Sequence, residues 1–251
     1  MDMNTKTAVF PGNWSKGAGL LVALLAFATL AWASDEPWKA KSYQQWTDRD
    51  LENIFAYSPW SHTVALTRTW LPLKAEELPQ MISGKGKQLP EGLAQSDEGR
   101  LGSEVKFNVY WSSSRVMREA SVRKAVLHGG KSESEMEKFL NQPVDEYQIV
   151  VQGEDMAPFV RKDERFYQAN AYLQLKKTKQ KISPSHVRYE RDAQGVRVVA
   201  VIFFFPRKTS SGDPVIVADE KSVEFNCKIE GSTFRVNFDP QKMLDQVGPD
   251  L

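Results

Sequence analysis

The chain has 251 residues, of which 41% are hydrophobic and 26% charged, and its 33 basic side chains nearly balance 32 acidic ones. That balance lacks the basic surplus with which nucleic-acid binders displace counterions from phosphates, so nucleic acid is not an expected partner. Anionic membrane surfaces and other polyanions fall away for the same reason.

The first 33 residues read as a cleavable signal peptide. Lys6 and Lys16 supply the basic start, residues 18–32 the apolar stretch, and Ala31-Trp32-Ala33 the small residues a signal peptidase requires. Cleavage is expected between Ala33 and Ser34. The apolar stretch has about 15 residues, short of the roughly 20 that span a bilayer as a helix, so no transmembrane segment should remain after signal removal. A lipoprotein anchor would need a cysteine just beyond it, and the single cysteine is Cys227. Residues 34–251 are therefore expected to form one exported domain, periplasmic or extracellular, that relies on packing because one cysteine cannot close an internal disulfide.

After a polar leader, Thr47 reads as an N-cap with Asp50 at the third helical position, and Leu51, Ile54 and Phe55 give the helix an apolar stripe that Ser58-Pro59 ends. Residues 62–71 alternate as a half-buried strand, with Val64, Leu66 and Trp70 on one face and Arg68 interrupting it. Residues 74–104 hold five glycines, two prolines and no sustained period, which predicts a mobile surface loop. Val105, Phe107, Val109 and Trp111 mark the next strand. Ser112-Ser113-Ser114 can cap a helix over 115–128, whose inner arc holds Val116, Met117, Ala120, Leu127 and, within it, Arg123; Gly129-Gly130 stops it. A short acidic helix over 134–141 and a strand over 147–151 follow.

Residues 162–176 read as a helix carrying Phe166, Ala169 and Leu173, with Lys176, Lys177, Lys179 and Lys181 complementing the dipole at its end. Residues 186–191 and 196–205 make a hairpin around Asp192-Ala193-Gln194-Gly195. The second strand is apolar on both faces, as a central strand should be, and Pro206-Arg207-Lys208 guards its end against aggregation. Residues 215–217 suggest a short edge strand, and 222–229 with 233–238 form a second hairpin in which Cys227 is a buried hydrophobe. The fold class is therefore α+β: a largely antiparallel sheet of about six or seven strands with three or four helices packed on it.

No catalytic signature is present. His62, His128 and His186 have no second ligand at metal spacing, neither a Gly-x-Ser-x-Gly elbow nor Ser-x-x-Lys occurs, and Gly84-Lys85-Gly86-Lys87 lacks the spacing of a phosphate loop. Metal and cofactor are accordingly expected to be none. The five tryptophans beyond the signal peptide, Trp38, Trp46, Trp60, Trp70 and Trp111, all precede residue 112. They either fill the core of the first half or offer faces for stacking. On the second reading Trp60, Trp70 and Trp111, with Arg68 and Arg123 from otherwise apolar faces, are the candidate binding residues. Each arginine then needs a carboxylate partner or a route to water, failing which a ligand carboxylate becomes its expected partner.

The segment Trp46-Thr47-Asp48-x-Asp50, then Ser58-Pro59-Trp60, then Trp111-x-Ser113 ahead of Arg118-Glu119-Ala120, resembles a set of exported proteins common in acidobacteria. Lys221-x-Val223-Glu224-Phe225, with Gly231 and residues 238–243, is similar to theirs as well. The resemblance implies an extracytoplasmic protein and brings no catalytic residues with it. The expected function is a non-enzymatic binding or interaction domain of the cell envelope, with an envelope protein or glycan as partner. The rivals are a hydrolase with a dispersed site and a purely structural envelope protein. Oligomeric state has no signature in the sequence.

Overall fold

The computed structural model describes residues 36–67, 104–217, 219–229 and 232–251. Its first elements are a helical turn α1 (Pro37–Ala40), a 3-10 turn (Tyr43–Gln45) and helix α2 (Asp48–Tyr57). The start of α2 is a capping box: the Thr47 hydroxyl accepts from the Asp50 amide, and the Asp50 carboxylate accepts from the Thr47 amide at 2.9 Å. Ser58 turns extended ahead of Pro59, as the proline demands.

Strands β1 (Ser61–Thr67) and β2 (Glu104–Trp111) pair antiparallel, and helix α3 (Arg115–His128) follows at once with Ser114 as its N-cap. Gly129 ends α3 because a side chain there would strike the Ala125 carbonyl oxygen at 2.7 Å. Gly130 then turns with φ +63°. Helix α4 (Glu133–Leu140) begins with a second capping box, Ser132 with Glu135, and leads into β3 (Glu146–Gly153).

The greatest departure from the sequence pattern lies at 162–176. A turn α5 (Ala157–Val160) precedes helix α6 (Glu164–Asn170), which Asp163 caps and which stops at Asn170; the chain then runs extended as β4 (Ala171–Leu175). Residues 169 and 173 fit a helical period, while 171, 173 and 175 fit a strand period. Strand wins because pairing with a later strand buries Ala171, Leu173 and Leu175 together, where a continued helix would bury Leu173 with Ala169. The lysines do not meet a helix end. Lys176, Lys177 and Lys179 occupy the turn into β5 (Lys181–Ile182), with Lys179 left-handed at φ 59°; Lys177 pairs with Asp219, and Lys181 lies over the Tyr172 ring.

Strands β6 (His186–Arg191) and β7 (Val198–Pro206) form the expected hairpin, with Gly195 at φ +71°, and β8 (Val223–Ile229) and β9 (Ser232–Phe238) form the other. Residues 215–217 make no ladder: an isolated bridge, Lys208 to Pro214, takes its place, although Val215 and Ile216 are buried.

The fold is α+β, with about four substantial helices. Its strands divide between two antiparallel sheets, in the orders β1-β2-β3-β7-β6 and β5-β4-β8-β9. The four-stranded sheet has β4 and β8 at its centre, so reading β4 as helix hides it from the sequence pattern. The two sheets face each other across an aromatic layer. Trp111 meets Phe238 with centroids 5.2 Å apart and Phe203 meets Phe225 at 5.1 Å, while Phe159 of α5 enters the same layer against Phe107 at 5.3 Å, all edge to face. On the opposite face of the larger sheet, α2 sets Phe55 against Tyr110 and β6 stacks His186 on Phe204. At the end of the smaller sheet Glu220 is fully buried, and its carboxylate accepts from the backbone amides of Lys177, Lys221 and Ser222. Among the described residues no helix is long and apolar enough to cross a membrane.

Candidate functional site

The four described tryptophans belong to the core. Trp60 and Trp111 are 0% exposed and Trp38 and Trp46 nearly so; Trp38 meets Trp60 edge to face, and Trp111 sits between Tyr147 and Phe238. Trp60 and Trp111, two of the candidate binding residues, are therefore buried, with no exposed face in this structure. Arg123 is also engaged within the chain, donating from Nε to the Trp46 carbonyl at 2.9 Å with Nη1 4.0 Å from Glu133. Arg68 and Trp70, the loop expected over 74–104 except its last residue, and the cleavage pair Ala33 and Ser34 lie outside the described residues.

The histidines occupy three different elements. His62 on β1 packs against Phe238, and burial holds its pKa below the ordinary histidine value. His128 at the end of α3 pairs with Asp48 at 2.6 Å, and His186 on β6 lies beside Ser185 and Glu146. Cys227 is buried and free, its thiol pushed well up by burial. No group of three His, Cys, Asp or Glu side chains with metal-holding geometry occurs among the described residues.

What the fold does bring together is a cleft of about 810 Å³ at the start of α3. The helix opens there in a particular way. Its first two amides, Arg115 and Val116, donate to the two carboxylate oxygens of Asp250 at 2.6 and 2.9 Å, and the third, Met117, donates to the Ser114 hydroxyl. The orphan donors of a helix start are thus held by the chain itself. Burial raises the Asp250 pKa, and the two amides oppose that rise.

Arg115, Arg118 and Glu119 are spaced i, i+3, i+4, so they share one side of the first turns of α3 and line the cleft. Arg115 is paired with Asp245 at 2.9 Å. Arg118 lies over the Phe139 ring and donates to the Phe139 and Gln142 carbonyls at the end of α4. Arg207 arrives from the end of β7, where it is half-buried rather than a solvated gatekeeper. Its guanidinium covers Tyr147 with 4.6 Å to the ring centroid, and one amino group donates to the Leu251 carbonyl at 2.6 Å.

The electrostatics of these groups are unresolved within the chain. Arg118 and Arg207 form no ion pair with an aspartate or glutamate side chain among the described residues. Burial and then the repulsion of Arg207 lower the Arg118 pKa. Arg207 Nε is buried without a hydrogen-bond partner, as is the hydroxyl of Ser113, a residue only 4% exposed that also lines the cleft. Glu119 has its pKa raised to about 7, first by burial and then by Asp250 and Asp245, against the lowering effect of Arg115 and Arg118. Near neutral pH it therefore alternates between a proton donor and an anion.

The sequence offered a partial signal for this site. The charged strip 115, 118, 119 borders the apolar arc of α3, but Arg207 and Asp250 reach it only through the tertiary fold. No known protein family, curated protein or solved structure matches the chain.

Proposed function

We propose that the protein is an exported binding domain of the cell envelope and that its recognition site is the cleft at the start of α3. Export rests on the basic, apolar and small-residue pattern of the first 33 positions. The observation that carries the binding reading is the set of polar groups on residues that line one concavity: two guanidiniums without an aspartate or glutamate partner among the described residues, a buried hydroxyl without a partner, and a glutamate with a raised pKa. The volume is in the range of small-ligand sites, so a molecule of that size or a protruding group of an envelope glycan or protein suits it.

The test has two stages. Intact mass and location after expression in a Gram-negative host should give a chain starting at Ser34 in the periplasm or medium; an uncut, membrane-bound chain refutes export. Envelope extract is then passed over the recovered protein and over Gln44→Trp, which places a large ring at an exposed position on the cleft wall. Loss of a specifically retained component from the variant supports the reading, and equal retention refutes it.

A hydrolase is the second reading, favoured by the presence of Ser113 and a near-neutral Glu119 in one cleft. Turnover of an ester that disappears in Glu119→Gln while retention of the envelope component persists would favour it.

A further inference from the structure

We infer that the group recognised in the cleft is an oxyanion, a carboxylate or phosphate, held between the guanidiniums of Arg118 and Arg207 with the Ser113 hydroxyl as a further donor. The inference rests on the binding reading above and names the chemistry of its ligand.

Three observations point the same way. First, both arginines line the one cleft and neither is within ion-pair distance of an aspartate or glutamate side chain among the described residues, although Glu119, Asp250 and Glu137 belong to the same wall. Like charges kept together in a partly dehydrated site are relieved by an anion that bridges them. Second, both guanidiniums are fixed before any ligand arrives: Arg118 by two carbonyls and the Phe139 ring, Arg207 by the Leu251 carbonyl and the Tyr147 ring. Little side-chain freedom is left to lose on binding. Third, the donors that remain, Arg207 Nε and the Ser113 hydroxyl, are buried without partners, and such donors are normally satisfied. The amides at the helix start take no part, because Asp250 and Ser114 hold them.

Guanidinium forks suit both planar carboxylates and phosphates, so both sources are tested. The protein recovered from the expression host is titrated calorimetrically with inorganic phosphate and, separately, with succinate, at low ionic strength. Saturable one-to-one binding of either, on the order of millimolar or tighter, is expected, and the stronger probe identifies the source. Arg207→Gln should weaken that binding roughly tenfold or more. Arg118→Lys, which keeps the charge but loses the fork, should also weaken it, while Lys124→Gln, on the same helix away from the cleft, should leave it unchanged.

Binding that is absent for both probes, or unaltered in Arg207→Gln and Arg118→Lys proteins that melt cooperatively, overturns the inference. If envelope retention remains sensitive to Gln44→Trp in that case, the oxyanion assignment fails and the binding reading survives. If that sensitivity is missing too, both fail.

Discussion

Asp250 and Trp60 are 190 positions apart and joined by one hydrogen bond, from the indole N–H to the Asp250 carbonyl oxygen at 2.7 Å. The same aspartate holds the first two amides of α3, so one residue ties the end of the described chain to both the aromatic core and the helix that builds the cleft. Asp250→Ala should lower stability by about 1–3 kcal/mol, since it strips a buried helix start of its acceptor. Asp250→Asn, which retains one carbonyl acceptor, should lose less. Chemical denaturation of the three proteins checks the order, and an Ala variant as stable as the parent would refute the capping role.

Glu119 should make the protein less stable as pH rises. Its folded pKa, about 7, lies above the ordinary 4.5, so the folded state holds the proton more tightly than the unfolded chain does. The stability this contributes is complete below about pH 4.5 and is lost as pH climbs through 7. Linkage sets the loss at no more than about 3 kcal/mol, and for a carboxyl partly open to water about 1 kcal/mol is the expected size. Glu119→Gln should therefore be more stable than the parent at pH 8 and equal to it at pH 4. Denaturation midpoints at both values test this, and a variant that loses stability at pH 8 contradicts it.

The same proton should govern binding. The charged groups around Glu119 are Arg115 and Arg118 on its own helix, Asp245 and Asp250 on the C-terminal segment, Glu137 on α4, and Arg207 beyond β7; Tyr43 and Tyr147 complete the wall. Protonating Glu119 removes one of the negative charges that oppose an anion. Binding of sulfate, whose own charge is constant in this range, should tighten as pH falls from 8 to 6 and should stay level in Glu119→Gln. A parallel slope in both proteins would assign the dependence to another group.

Glu220 offers a test remote from the cleft. With three backbone amides collected on a fully buried carboxylate, Glu220→Ala should cost more than about 2 kcal/mol and should free the turn that carries Lys177. Amide exchange at 177, 221 and 222 reads this directly. Unchanged protection there would mean that the carboxylate is dispensable.

Much of the fold was legible because its punctuation is local. Thr47 with Asp50, Ser114, Gly129-Gly130 and Gly195 each act on backbone groups within four residues, and each does what its chemistry predicts. The α6–β4 boundary was not legible, because Leu173 belongs to two periods at once and only the partner strand decides between them. Leu127 shows the same limit: its spacing puts it on the inner arc of α3, but it is 40% exposed, and Val122 is buried instead. The site was the least legible part. Arg118 and Arg207 come from different elements, and their shared concavity depends on β3 pairing with β7, which no local pattern encodes.

The Asp250 carboxylate on the first amides of α3 has a consequence for how this cleft can change over evolutionary time. Sites that seat a ligand on bare main-chain amides are bound to one loop shape, and any substitution that moves that loop disables them. Here the main chain is already satisfied internally, and the contacts left over belong to replaceable side chains at positions 113, 118, 119 and 207. On the proposed binding function, preference can then drift from one ligand to another by single substitutions, while the scaffold beneath remains intact.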